Sequence, residues 1–161
     1  MTQQMPPSWV TQACPAVSLR TPPDWRVVPP PPMEYPPALI VAGPPRHGFA
    51  PNVTVTLDPL PPAMTLAEWH TINLESLRQA LTSLRLLDLQ PDEVDGAPAL
   101  IRLCAYGMDD HPLSLIQWLV RRPDGGVTIS ATCHTGDYAN AIDTLGQIAR
   151  SCVVAQGEAH D

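Results

Sequence analysis

The sequence predicts an α+β domain in which an antiparallel sheet of about six to seven strands is flanked by helices. Three observations predict it. Several short runs alternate apolar and polar residues with period two, as strands with one buried face do. Two stretches, 65–84 and 137–152, instead repeat apolar residues at helical spacing. The strands come in runs and do not alternate singly with helices, which argues against a parallel sheet.

The 161 residues suit one folded unit, long enough to bury about 70% of the accessible surface of its unfolded chain. We expect that unit over residues 16–154, after a flexible segment 1–15 and before a flexible tail 155–161. Ala16-Val17-Ser18-Leu19-Arg20 reads as a first strand, stopped by Pro22-Pro23; Asp24-Trp25 then forms a turn that anchors an indole. Val28 to Pro37 holds six prolines, which remove amide donors and keep the chain near polyproline II, so it is a stiff connector. Ala38 to Ala42 is a short strand. After the loop Pro44-Pro45-Arg46-His47-Gly48, a second strand runs from Val53 to Leu57, with Val53, Val55 and Leu57 on one side and Thr54 and Thr56 on the other.

A second proline cluster, Pro59 to Pro62, precedes a helix beginning at Thr65, where Thr65 and Glu68 have capping-box spacing. Its apolar stripe, Leu66, Trp69, Leu74, Leu77, Leu81 and Leu84, predicts a helix to Leu84. Leu86 to Gln90 and Ala97 to Tyr106 follow as strands around the acidic turn Pro91 to Gly96. Leu113 to Arg121 and Val127 to His134 form a hairpin, because Pro123, Asp124 and Gly125 supply turn chemistry. Ile142, Leu145, Ala149 and Cys152 mark a closing amphipathic helix from about Asp137 to Cys152, before frayed residues 156–161.

The nine basic residues are all Arg, against sixteen acidic ones, and the net charge is −7. Such a chain repels phosphate backbones and anionic headgroups, so neither nucleic acid nor a membrane surface is an expected partner. Residues 1–15 show no basic start and no sustained apolar run. We therefore expect no signal peptide, no membrane insertion and a cytoplasmic location. Cys14, Cys104, Cys133 and Cys152 stand far apart without a CxxC pair, which is unlike a zinc or redox site and predicts reduced thiols. In an exported protein one or two bridges would remain open, each worth about 2–4 kcal/mol.

No residue set predicts catalysis, and no metal or cofactor is expected. Asp109-Asp110-His111 offers two carboxylates and an imidazole, but strand neighbours point apart, so we read a solvated turn. His70 reads as a surface or boundary residue of its helix. Ser130, His134 and Asp137 cannot form a hydrolase set, since Ser130 and His134 would stand about 13 Å apart along one strand. No nucleophile elbow, phosphate loop, dinucleotide fingerprint or HExxH is present.

The hairpin register points to a surface. If Pro123-Asp124-Gly125 is a three-residue loop, Arg122 lies opposite Gly126. One face then carries Leu115, Leu119, Val127, Ile129, Ala131 and Cys133 as core. The other mixes Ile116, Trp118 and Val120 with Thr128, Ser130, Thr132 and His134. That mixture suits a partner-binding surface or a face covered by the terminal helix.

The Pro23-Asp24-Trp25 turn, the strand entry Phe49-Ala50-Pro51-Asn52-Val53 and the strand start Gly96-Ala97-Pro98-Ala99, with the element order, resemble the LpqN/LpqT family of actinobacterial proteins over residues 16–152. The resemblance implies the PsbP/Mog-like α/β/α sandwich, a fold that also includes Eag-type secretion chaperones. Most known members are exported lipoproteins, and this chain departs from that pattern in having no lipobox.

Together these readings predict a non-enzymatic accessory or adaptor domain that binds a protein partner, linked through the resemblance to secretion or the cell envelope. Met33 and Tyr35 on the proline loop, and Ile116, Trp118, Val120, Ser130 and His134 on the hairpin, are the expected partner-binding residues. A carrier of a small apolar ligand or lipid is the alternative, and an uncharacterised hydrolase a weaker one. A homodimer through an exposed edge at Ala38 to Ala42 is also open, although flanking prolines discourage it.

Overall fold

The computed structural model describes residues 6–156. The expectations of flexibility at 1–5 and 157–161 lie outside the described residues. In chain order the elements are β1 (Val10–Ala13), β2 (Val17–Thr21), β3 (Arg26–Val27), β4 (Leu39–Ala42) and β5 (Asn52–Asp58), then α1 (Leu66–Ala80). These are followed by β6 (Thr82–Val94), β7 (Ala97–Met108), β8 (His111–Arg122), β9 (Gly125–His134), α2 (Tyr138–Arg150) and β10 (Val153–Val154).

Seven strands make one antiparallel sheet in the order β3-β4-β5-β9-β8-β7-β6, and three more make a small sheet, β1-β2-β10. The small sheet and α2 cover one face of the large sheet, and α1 covers part of the other. The expected α+β fold class is thus the observed one. The main core lies on the α2 side, where Val53, Val55, Trp118 and Ile129 meet Leu145 and Ile148. A smaller cluster beneath α1 joins Leu74 to Cys104 and Leu115.

The predicted capping box starts α1. Glu68 N donates to Thr65 Oγ1 at 3.2 Å, and Thr65 N donates to Glu68 Oε2 at 3.3 Å, so two amides that the first turn leaves open are satisfied. The helix ends sooner than its stripe predicts. Leu81 is already extended, Ser83 adopts φ 54°, and β6 begins at Thr82. Leu81, Leu84 and Leu86 still reach the small cluster, but from an extended segment, which accounts for apolar spacing that imitates another helical turn.

The acidic segment read as a turn from Pro91 to Gly96 is mostly strand. Val94 pairs with Ala97, so Asp95-Gly96 alone forms the loop, with φ 51° and 74°. These left-handed values are those of a type I′ hairpin turn. Asp109-Asp110, at φ 49° and 66°, turns β7 into β8 in the same way, as its reading as a solvated turn anticipated.

Two expectations about edges change. The segment read as flexible before Pro15 carries β1, which pairs with β2 from Val10↔Thr21 to Ala13↔Ser18. The strand read as an exposed edge at Ala38 to Ala42 is interior: β4 pairs with β5 on one side and β3 on the other, and Val28 N donates to Ile40 O at 2.9 Å. A homodimer through that edge has no free ladder to use. The long free edge is β6, which carries two register shifts and Pro91, features that discourage pairing with another chain.

Candidate functional site

The β8–β9 hairpin decides which residues of β9 share a face with Trp118. Arg122 pairs with Gly125, leaving Pro123-Asp124 as a two-residue loop in place of the expected three. Gly125 belongs to the strand, with φ 147°, and a Cβ there would stand 2.9 Å from Asp58 O. Only glycine fits that close approach. The shift of one residue exchanges faces, because strand side chains alternate.

Trp118 therefore pairs with Ile129, Ile116 with Ala131 and Val120 with Val127, all on the α2 side. Trp118 is 1% exposed. Of the two readings offered for the face of Ile116, Trp118 and Val120, cover by the terminal helix is the one observed: they are core residues beneath α2, and their expected role as partner anchors is corrected. Ser130 and His134 lie on the opposite face and are half-buried. Met33 and Tyr35 stand out from the proline loop between β3 and β4, 55% and 78% exposed.

Beneath α1, a polar ladder crosses the sheet. Arg102 on β7 pairs with Gln117 on β8, and Gln117 pairs with Ser130 on β9. The Arg102 guanidinium, fully buried, donates to Gln117 Oε1 from Nε at 2.9 Å and from Nη2 at 2.7 Å. It also bonds His70 Nδ1 at 3.0 Å and donates to Asn73 Oδ1. Gln117 Nε2 then donates to Ser130 Oγ at 2.9 Å. Among the described residues no carboxylate lies within ion-pair distance of Arg102.

Of the surface and boundary placements read for His70, this corrects the first. The ring is buried between α1 and the sheet, and burial, then the positive charges of Arg102 and Arg78, hold its pKa below the usual histidine value. Burial likewise lowers the Arg102 pKa. The neutral ring accepts through Nδ1, which assigns its proton to Nε2 from the bonding pattern. Sequence reasoning missed Arg102 because its neighbours Ile101 and Leu103 face the main core. An outward-facing polar residue in an alternating strand gives no sign that a helix will cover it.

At the end of β9, three segments converge. The His47 and His134 rings stack with centroids 5.1 Å apart, and His111 meets His134 edge-on at 5.7 Å. His134 Nδ1 accepts from Gly136 N at 2.9 Å. Asp137, just before α2, is buried and stands 3.4 Å from Arg46 Nη2. Among the described residues no group of three His, Cys, Asp or Glu side chains is placed to hold a metal ion. Ser130, His134 and Asp137 form no catalytic chain here: the Ser130 hydroxyl is bonded to Gln117, and the His134 ring to its own turn.

The four cysteines are free thiols. Burial pushes the Cys133 thiol up to about 11, with the Asp137 charge adding to the effect, and the Cys152 thiol up to about 12.

No family model and no curated protein matches the chain. Solved structures do share its fold. The cyanobacterial PsbP of Synechocystis is similar with a TM-score of 0.69 at 11% identity, covering 92% of this chain and 93% of that one. LpqN of Mycobacterium tuberculosis, involved in cell envelope biogenesis, is similar with a TM-score of 0.65 at 16% identity, over 92% of this chain and 90% of that one. The Ran-binding protein Mog1p of Saccharomyces cerevisiae has a TM-score of 0.54 at 16% identity, over 86% and 90%. The fold is PsbP/Mog1-like, as the resemblance implied. At these identities the likeness is one of fold.

Proposed function

We propose that the chain is a non-enzymatic accessory domain that binds a protein partner through the loop bearing Met33 and Tyr35. The observation that carries this reading is the exposure of that pair, 55% and 78%, on a connector stiffened by prolines. A large aromatic and a thioether held out by a stiff segment lose little freedom on docking. Ser130 and His134, half-buried on the sheet face that α1 leaves partly open, add polar contacts. The Ran-binding activity of Mog1p supports the reading at the level of fold.

The competing classes have less support. An apolar carrier needs an interior cavity. The small pocket beside the core, among Val94, Val120, Val127, Ile129 and Cys152, measures about 10 Å³, room for no more than about one water, and the larger clefts, of about 350 to 680 Å³, lie open at the surface. A hydrolase needs a nucleophile beside a base, and Ser130 meets Gln117. Among the described residues no helix is long and apolar enough to cross a membrane, and a cytoplasmic site of action belongs to this proposal.

The test is affinity capture from lysate of the source organism with the wild-type chain and the double variant Met33→Ala/Tyr35→Ala. A protein held stoichiometrically by the wild type and lost by the variant, at unchanged thermal midpoint, supports the reading. Equal capture by both forms, or a co-purifying lipid without protein, overturns it.

A further inference from the structure

A cleft of about 350 Å³ opens between the Asp24-Trp25 turn, the 44–51 loop and the start of α2. Asp137 lines it. This side chain is 5% exposed, and among the described residues its Oδ1 accepts no hydrogen bond. The cation nearest to it is Arg46, whose Nη2 stands 3.4 Å away on a side chain that is 58% exposed. A buried carboxylate held so loosely is costly unless a better donor meets it.

The rest of the cleft suits a flat cation. Trp25 forms a buried wall. Its position is set by Gly43, where a Cβ would stand 2.5 Å from Trp25 Cε2, so the indole occupies the space of the missing side chain. Asn140 and Thr144, on successive turns of α2, add oxygen acceptors, and Asp24 adds a carboxylate at the rim.

We propose that this cleft binds the guanidinium of an arginine side chain presented by a protein partner, with Arg46 as the chain's own competing occupant. A guanidinium is planar, weakly hydrated and stacks on aromatic faces, so the Trp25 wall and the Asp137 carboxylate recognise it together. An ammonium group is a compact, strongly hydrated point charge and uses the wall less well. The chain's net charge of −7 favours the approach of a basic partner. The source of the arginine rests on the reading of the chain as a protein-binding domain; the chemistry of the cleft does not.

The test titrates the ¹⁵N-labelled full chain with Nα-acetyl-arginine amide and follows the Trp25 indole N–H, with the citrulline analogue as a neutral isostere. The arginine probe shifts this resonance saturably and the citrulline probe does not. Arg46→Ala removes the competitor and tightens binding by about two- to fivefold, the worth of a partly exposed ion pair. Asp137→Asn abolishes the shift. Asp137 makes no side-chain cap to α2, so the fold survives the change, and the citrulline comparison judges the site without that variant. Equal shifts from both probes, or no shift in Arg46→Ala, overturn the proposal. Met33→Ala/Tyr35→Ala leaves this titration unchanged, so loss of the adaptor reading and loss of the cleft are told apart.

Discussion

Arg102 and Gln117 are joined by two hydrogen bonds to one oxygen, Gln117 Oε1, at 2.9 and 2.7 Å. The cation they involve is fully buried, and its acceptors are neutral. Desolvation of the charge is therefore met by dipoles alone. That arrangement ties the two side chains closely, since removal of either leaves the other with an unmet requirement.

Gln117→Met takes two hydrogen bonds from the guanidinium and is expected to destabilise the fold by about 1.5–3 kcal/mol, the range for a lost hydrogen bond to a charged group. The double variant Arg102→Met/Gln117→Met removes the charge as well, and Asn73 at the margin is half-buried and can take water. The double variant is expected to be more stable than Gln117→Met. Urea denaturation of the four members of the cycle measures this, and purely additive costs would count against it.

Trp118→Ala is expected to cost about 3–5 kcal/mol, because it empties the space between β8, Ile129 and α2. The loss should register in the denaturation midpoint and not as a selective loss of binding. A variant of unchanged stability would contradict the placement of the indole beneath α2.

Stability should depend on pH through His70. Its folded pKa lies below 6.5, so on acidification the unfolded chain takes up this proton first. The contribution is complete above pH 6.5 and is lost as the pH falls through the folded value. His70→Gln, which keeps a neutral side chain at every pH, should flatten this part of the profile. Equilibrium unfolding of both forms between pH 7 and pH 5 gives the comparison, and parallel profiles would remove His70 as the cause.

Much of the architecture was legible because its determinants are local. The α1 capping box depends on two residues three apart, Thr65 and Glu68. The turn at Asp109-Asp110 depends on two carboxylates that tolerate the left-handed region. The Asp95-Gly96 turn carried the same kind of signal, yet the surrounding acidic residues read as loop. Their place in β6 comes from pairing with β7, not from their own propensity.

The candidate site was legible only in part. Met33 and Tyr35 lie exposed on the connector that the proline run marked. Ser130 and His134 share a face as alternation required, but its apolar members are Leu113, Leu115 and Leu119 in place of Ile116, Trp118 and Val120. Arg102 and Arg46 had no sequence signal, and His70 and Asp137 were legible only in other roles, since each acquires its surroundings from an element distant in the chain.

The sequence by itself determined the α+β class, the kinds of element and most of their order, because period-two and helical spacing follow from backbone geometry. Tertiary structure decided which side of each strand is interior. One residue in the β8–β9 loop decides which residues of β9 share a face with Trp118, and the pairing of Arg122 with Gly125 puts Val127, Ile129 and Ala131 there. A strand pattern states that two faces differ. Which of them a helix will cover depends on packing energy summed over the whole sheet, and that sum is made only when the chain is folded.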